Sequence, residues 1–450
     1  MYENKLLNKL SLLALLIFSI LVILSCNSED KQPLSNGQAE LDLKIAVFSD
    51  PHYFDPALGM PGKAFFDAKI NSRKMIAESE EILNSAINMI LANPAELVLI
   101  PGDLTKDGEK SSHEKFAQII MKLKNAGKKV LVIPGNHDID NPTAYGYQGE
   151  DKYKTESVSP DEFRNIYAEF GYGDAVYKDE NSLSYIAEPV PGLWIIAMDA
   201  CRYRENTDRH VVGGKFDPQA LVWIKSKIQE GKSKGKLMLG MLHHGILEHF
   251  QGQKLSPISS EFVIDDYQTI SKEFAEMGLN FVFTGHFHAN DIASVNYGKS
   301  FLYDIETGSL LTYPVPMRFI NITQSEIMDV STVYVDNVNI DTKGKSFQVY
   351  AKDYLTNDLD LFVSETLIAQ FQLEKQIADE LAPVGVGAFT AHYRGDEVIS
   401  KEAIDVINKY SASDNFTVLL FTATVESLYT DLKPQDNNIS INMKTGTEVK

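Results

Sequence analysis

The sequence predicts an α/β fold in which strands alternate with helices and end in polar turns. Three observations carry this expectation. Short apolar runs feed polar turns at 44–50, 96–105 and 129–138, with helical-period stretches between them. The same strand-then-polar-turn pattern returns at 237–244 and 281–288. Beyond about residue 330 the regular alternation stops. An α/β domain is therefore expected over 44–330 and a smaller α+β accessory region, capping the core, over 331–450.

The elements follow in order. Residues 44–49 read as a buried strand that delivers Asp50 to a loop. Apolar residues at helical spacing, among them Ile76, Ile82, Leu83, Ala86, Ile87 and Ile90, predict a helix over 72–92 that Pro94 closes. Strand 96–100, a helix over 111–126 and strand 129–133 come next. The polar, tyrosine-bearing stretch 141–160 reads as a long loop of the kind that shapes a cleft. Strands at 183–186 and 193–198, a helix at 218–229, strand 237–242, a helix at 267–277 and strand 281–284 complete the regular part. In the accessory region, 333–350 alternates like short strands, 357–381 looks helical, and a polar tail follows Pro434.

Ahead of the folded part, Lys5 and Lys9 precede an apolar run over 10–24 that stops at Ser25-Cys26. The run is short for a membrane span and has the length of a signal-peptide core. Ile23-Leu24-Ser25-Cys26 resembles a bacterial lipobox, so residues 1–26 are expected to be a lipoprotein signal with Cys26 lipidated. Residues 27–43 would be a flexible tether holding the protein to a membrane of the cell envelope, facing the periplasm or exterior. The alternative is a cleaved signal or short anchor with an incidental cysteine. Of two cysteines in the chain, only Cys201 would remain, reading as a lone buried thiol.

The 450 residues carry a formal net charge of -20. An acidic surface repels phosphate backbones, which argues against a general nucleic-acid binder. A small phosphorylated substrate stays open, because bound metal ions invert the local field.

Five short motifs lie in order: Asp50-x-His52, Gly102-Asp103, Gly135-Asn136-His137-Asp138, His243-His244, and Gly285-His286-x-His288. Each alone is weak, since a D-x-H pair is more often a surface pair and a G-N-H-D stretch is often a turn. Together they hold six of the ten histidines, and each follows an apolar strand. They offer O and N donors without thiolate, a set suited to Mn, Fe, Zn or similar ions.

As an ordered set the motifs resemble the calcineurin-like metallophosphoesterase superfamily over about residues 44–320. The resemblance implies a four-layer αββα sandwich and a metal-dependent hydrolase of phosphoesters. Two divalent or trivalent ions would share a hydroxide nucleophile. Asp50, His52 and His288 would bind one ion, Asn136, His243 and His286 the other, and Asp103 would bridge them. His243 is favoured over His244 as the ligand. His137 would touch the substrate and protonate the leaving oxygen, and Asp138 would orient its ring. Purple acid phosphatases carry a tyrosine ligand where Lys106 stands here and lack a histidine at the place of His52, which argues against that class. Diesters are favoured over monoesters. A catalytically silent surface-binding lipoprotein is the alternative of another kind, set against by the complete motif set.

Smaller candidates remain. The run His392-Tyr393-Arg394-Gly395-Asp396-Glu397 reads as an exposed turn, or else Arg394 or His392 reaches over the cleft to a substrate. His113, His210 and His249 read as surface or helix residues. Arg202 and Arg204 are placed to face the site, and Tyr145 and Tyr147 to line a substrate wall.

Overall fold

The computed structural model describes residues 42–70, 72–256 and 259–449. The expected signal, Cys26 and nearly all of the tether lie outside these residues. The chain opens with β1 (Leu43–Val47), α1 (Lys63–Lys69), α2 (Ser79–Ala92), β2 (Leu97–Pro101), α3 (Lys110–Asn125) and β3 (Lys129–Ile133). A hairpin of β4 (Tyr145–Gln148) and β5 (Asp151–Lys154) precedes α4 (Pro160–Ile166). A second series runs through β6 (Tyr177–Lys178), β7 (Tyr185–Ala187), β8 (Leu193–Met198), α5 (Pro218–Ser233), β9 (Leu237–Leu242), α6 (Tyr267–Met277) and β10 (Phe281–Thr284). Then come β11 (Ile292–Tyr297), β12 (Ser300–Glu306), β13 (Pro316–Ile322) and β14 (Ile327–Tyr334). Four helices follow, α7 (Phe347–Glu365), α8 (Lys375–Arg394), α9 (Lys401–Tyr410) and α10 (Phe416–Leu428), before β15 (Asn438–Asn442) and β16 (Thr447–Glu448).

Two seven-stranded sheets result, ordered β16-β15-β14-β13-β1-β2-β3 and β11-β12-β10-β9-β8-β7-β6. The central pairs β1–β2, β2–β3, β8–β9 and β9–β10 are parallel, as continuous apolar strands joined by helical crossovers require. Strand β8 shows why the sheets stack. Leu193, Ile195 and Ala197 join the core between the sheets, while Trp194, Ile196 and Met198 pack with Ile224 and Ile228 of α5 and Phe274 of α6. On the far side, Ile82, Leu83 and Ile87 of α2 and Phe116 and Ile120 of α3 close the core of the first sheet. This is the αββα sandwich, with the central strands of each sheet buried on both faces.

The structure departs from the sequence pattern at several elements. Helix α2 begins at Ser79, because Arg73 sits at φ 60 and only a 3-10 turn over Ile76–Glu78 precedes the helix. Residues 141–160 are more than a loop, since they contain the β4–β5 hairpin. The alternating stretch after 333 gives way to helix at Phe347, where the Ser346 side chain accepts from the Val349 N–H and caps α7. Residues 357–381 are two helices, separated where the π turn Thr366–Gln370 unwinds into residues 371–374. Strand β14 spans residue 330, so the first sheet crosses the expected boundary there. The polar tail supplies β15, whose Ile439 and Ile441 pair with Val330 and Met328. Helices α7–α10 pack around an apolar cluster that includes Leu355, Leu359, Leu381, Phe389 and Phe421, and Phe250, Phe287 and Ala289 of the α/β part join it.

Candidate metal centre

The motif residues sit on the loops just past the C-terminal ends of β1, β2, β3, β9 and β10. Asp50, His52, Asp103, His286 and His288 all have positive φ, between 36 and 77 degrees. Non-glycine residues rarely adopt this region, and strained backbone of this kind gathers at functional sites. Two glycines let the loops approach. A Cβ on Gly135 would overlap Asp103 Oδ1, and one on Gly285 would overlap Asp50 Oδ2.

The side chains converge on Asp103. Its Oδ2 lies 3.4 Å from His243 Nε2 and 3.6 Å from His52 Nε2. Asp50 Oδ1 is 3.4 Å from His288 Nε2 and 3.8 Å from His52 Nε2. Asn136 Oδ1 lies 3.1 Å from His243 Nε2. Donor atoms of Asp50, His52 and His288 all fall within 4.8 Å of one another, and so do those of Asp103, His243 and His286. All seven expected ligand residues are therefore brought together and buried.

The arrangement fits cations. His286 Nε2 and Asp50 Oδ1 are buried without hydrogen-bond partners, a cost that an ion would remove. His243 donates from Nδ1 to the Pro101 carbonyl at 2.8 Å, which fixes the ring with Nε2 turned toward Asp103. Nε2 atoms of His52 and His288 face each other at 3.2 Å. Burial works to protonate Asp103, but His243, His137 and His52 hold its carboxyl well below the usual range, so it stays anionic. His244 turns away, with Nε2 donating to the Val212 carbonyl at 2.9 Å.

His137 stands at the edge of the cluster with 18% of its side chain exposed and Nε2 3.9 Å from Asp103 Oδ2. The expectation that Asp138 orients this ring is corrected by the structure. Asp138 folds back to accept from the backbone N–H groups of Leu104, Thr105 and Gly135 at 3.0, 3.0 and 2.8 Å. It locks the loops after β2 and β3 together, and has no acceptor capacity facing the imidazole. Asp107 takes the orienting place, its Oδ1 accepting from His137 Nδ1 at 3.0 Å. Burial raises the Asp107 carboxyl, yet the paired Lys106 ammonium and His137 hold it below the usual range.

Two more side chains join the site without a sequence signal. His210 packs on His137 with ring centroids 4.2 Å apart. Lys74 Nζ reaches to 3.5 Å from His52 Nδ1, and burial pushes its ammonium down to about 8. His113 lies on helix α3, one of the two expected settings, but neither it nor His249 is at the surface, since both are buried in polar networks. In the His392–Glu397 run the chain turns at Gly395–Asp396 with Arg394 and Asp396 exposed, as expected of a turn, but its first two residues point inward. His392 and Tyr393 are buried, with His392 against Glu397 and Asp291. Arg202 pairs with Glu205 and Arg204 donates to the Asn181 carbonyl. Tyr147 packs on Phe54 and Phe65, while Tyr145 lies under Lys152 and Lys154. Cys201 is half-buried, its Sγ donating to the Pro134 carbonyl.

A family model described as "Calcineurin-like phosphoesterase" matches residues 43–290, more than half of the chain. A probable cyclic nucleotide phosphodiesterase of Ruthia magnifica subsp. Calyptogena magnifica is 42% identical over 59 residues. That match spans 13% of this chain and only 24% of the relative's own length. Among solved structures, a dimetal phosphatase from Danio rerio is similar over 65% of this chain and 96% of that one, at 14% identity and a TM-score of 0.45. A purple acid phosphatase from yellow lupin seeds is similar over 68% of this chain and 53% of its own, at 8% identity and a TM-score of 0.38.

Proposed function

We propose, for a chain that belongs to the calcineurin-like phosphoesterase family, the hydrolysis of phosphodiesters with two metal ions held around Asp103. One ion would lie among Asp50, His52, Asp103 and His288, the other among Asp103, Asn136, His243 and His286. The observation that carries this reading is the single carboxylate oxygen, Asp103 Oδ2, standing 3.4 Å and 3.6 Å from histidines of the two ligand groups. When bound, such ions supply a water acidic enough to ionise near neutral pH and neutralise phosphoryl oxygens. The donors suit Mn, Fe or Zn alike.

The chain's own residues complete the chemistry. Asp107 accepts the hydrogen bond from His137 Nδ1–H and offsets the charge of the doubly protonated ring, whose Nε2–H would hand its proton to the departing alkoxide. The Lys74 ammonium adds positive charge beside His52, where a phosphoryl anion would sit. Diesters are favoured by the histidine at the third place of Asp50-x-His52 and by the phosphodiesterase name of the relative that is 42% identical over 59 residues. The apolar run ending in Ser25-Cys26 supports a lipid anchor in the cell envelope, with the site outside the cytoplasm. Changing Cys26→Ala should then move the protein from the membrane to the soluble fraction.

The activity test uses the purified chain loaded with Mn, on bis-nitrophenyl phosphate and on nitrophenyl phosphate. The diester should turn over faster, and Asp103→Asn should lower its rate by on the order of a hundredfold or more. A faster monoester would overturn the diester preference. No metal-dependent turnover of either ester would overturn the reading as a whole.

A further inference from the structure

A second group of ligand-type side chains lies where the C-terminal helices meet the chain just after His288. His392 is in the last turn of α8, and Gly395 (φ 76) and Asp396 (φ 54) fold the chain back over it. A Cβ on Gly395 would overlap the Asn290 carbonyl oxygen, so this turn is pressed against the residue before Asp291. Glu397 is thereby returned to its own helix, with Oε1 2.6 Å from His392 Nδ1. Asp291 Oδ2 approaches the same nitrogen to 3.7 Å. Donor atoms of the three residues lie within 4.8 Å of one another. The three side chains are each 1% exposed.

Two features separate this group from an ordinary hydrogen-bonded cluster. Asp291 Oδ2 and Glu397 Oε2 are buried and accept no hydrogen bond. The surroundings are also short of positive charge. Asp291, Asp304, Glu306, Glu397 and Asp436 are buried carboxylates, and among the described residues Arg318 and His249 are the basic side chains packed among them besides His392 itself. Burial, together with Asp291 and Glu397, pushes the Asp436 carboxyl up to about 10. Uncompensated buried charge is unfavourable, so such a cluster takes up either protons or a cation. The rings of Phe250 and Phe287, with centroids 5.5 and 5.3 Å from that of His392, hold the imidazole with Nδ1 toward the carboxylates.

We propose that Asp291, His392 and Glu397 form a further metal site, with a ligand set separate from that around Asp103. It takes one first-row divalent ion, Zn or Mn by its one-nitrogen, two-carboxylate donor set. Its role is structural: it pins α8 to the segment that follows His288, and it stands whatever reaction the Asp103 centre performs.

The test counts metal on the full chain. Wild type and the variants Glu397→Gln and His392→Ala are incubated with excess Zn²⁺ or Mn²⁺, desalted, and analysed for ions per chain. Each variant should hold one ion fewer than wild type, whatever the occupancy at Asp103, and should melt at lower temperature. Zinc-edge anomalous diffraction from wild-type crystals should show a peak about 2.0–2.2 Å from the three donors. Equal metal content in wild type and Glu397→Gln would overturn the proposal, leaving protons as the compensating charge. If a variant fails to fold, the wild-type anomalous map decides alone, and no peak at His392 overturns it.

Discussion

The carboxylates Asp107 and Asp138 differ in what they touch, and their substitutions should part accordingly. Asp107 bonds only the exposed edge of the site, through His137 Nδ1 and Lys106. Asp107→Asn is expected to slow esters of poor leaving groups by about 10–100-fold and to leave nitrophenyl esters nearly unchanged, since only a poor leaving group needs the proton. Equal loss on both kinds of ester would show that Asp107 does not act through proton donation. Asp138→Ala should act on stability instead. It strips three backbone N–H groups and Thr105 Oγ1 of their acceptor, at about 1–3 kcal/mol for each group left buried and unpaired. A shift of the urea midpoint and weaker metal retention are the measurements, and an unchanged midpoint would contradict the loop-locking role. The residues around Asp103 were legible because each ends an apolar strand in a short motif. Which acid faces His137 was not, because the answer depends on how two separate loops fold against each other.

Among the elements, the strands were the most legible. Apolar runs at 129–133, 193–198, 237–242 and 281–284 became β3, β8, β9 and β10 with the same bounds, because strands buried on both faces are built mostly of apolar residues. The C-terminal helices were less so, since α7 starts at a Ser346 cap inside an alternating stretch and α8 follows a π turn that composition does not mark. Helix α3 carries a residue whose setting was hidden in the sequence. His113 donates from Nε2 to the Asp138 carbonyl at 3.0 Å and accepts at Nδ1 from Tyr167 Oη at 2.8 Å. The neutral ring is thus fully bonded, and burial pushes its pKa down to about 3. The unfolded chain binds this proton near pH 6.5 and the folded chain does not. His113 therefore adds stability above pH 6.5 that is lost as pH falls toward 3, at up to about 1.4 kcal/mol per pH unit. Urea unfolding between pH 4 and 6 should show this slope in wild type and a shallower one in His113→Gln. Parallel slopes would mean that His113 titrates normally in the fold.

At the scale of the whole molecule, the last residues of the chain complete the sheet that starts with β1. Strand β15 covers β14, and Ile441 is fully buried while Ile439 is nearly so. The same segment satisfies Arg318, a guanidinium with no exposed surface. Arg318 donates to the Asp436 carbonyl at 2.5 Å and to the Glu306 carbonyl at 2.6 Å, and lies 3.3 Å from that of Asp291. Arg318 thereby ties the tail to β12 and to the segment after the histidines of the metal centre. A chain ending at Pro434 would expose the apolar face of β14 and leave a buried charged donor short of one acceptor. Losing two buried isoleucines and that acceptor costs on the order of 5 kcal/mol, against a total stability of about 5–15 kcal/mol for a folded domain. The truncated chain is therefore expected to melt roughly 10 °C lower, or to fail to accumulate as soluble protein. It should also retain metal less tightly, because the segment from His286 to Ile292 is bonded on one side to Asp50 and on the other to the tail. Differential scanning calorimetry and metal content, compared with the full chain, measure both effects. A truncated protein with unchanged melting temperature and metal content would show that the fold ends at β14 and that the returning strand is an ornament on its edge.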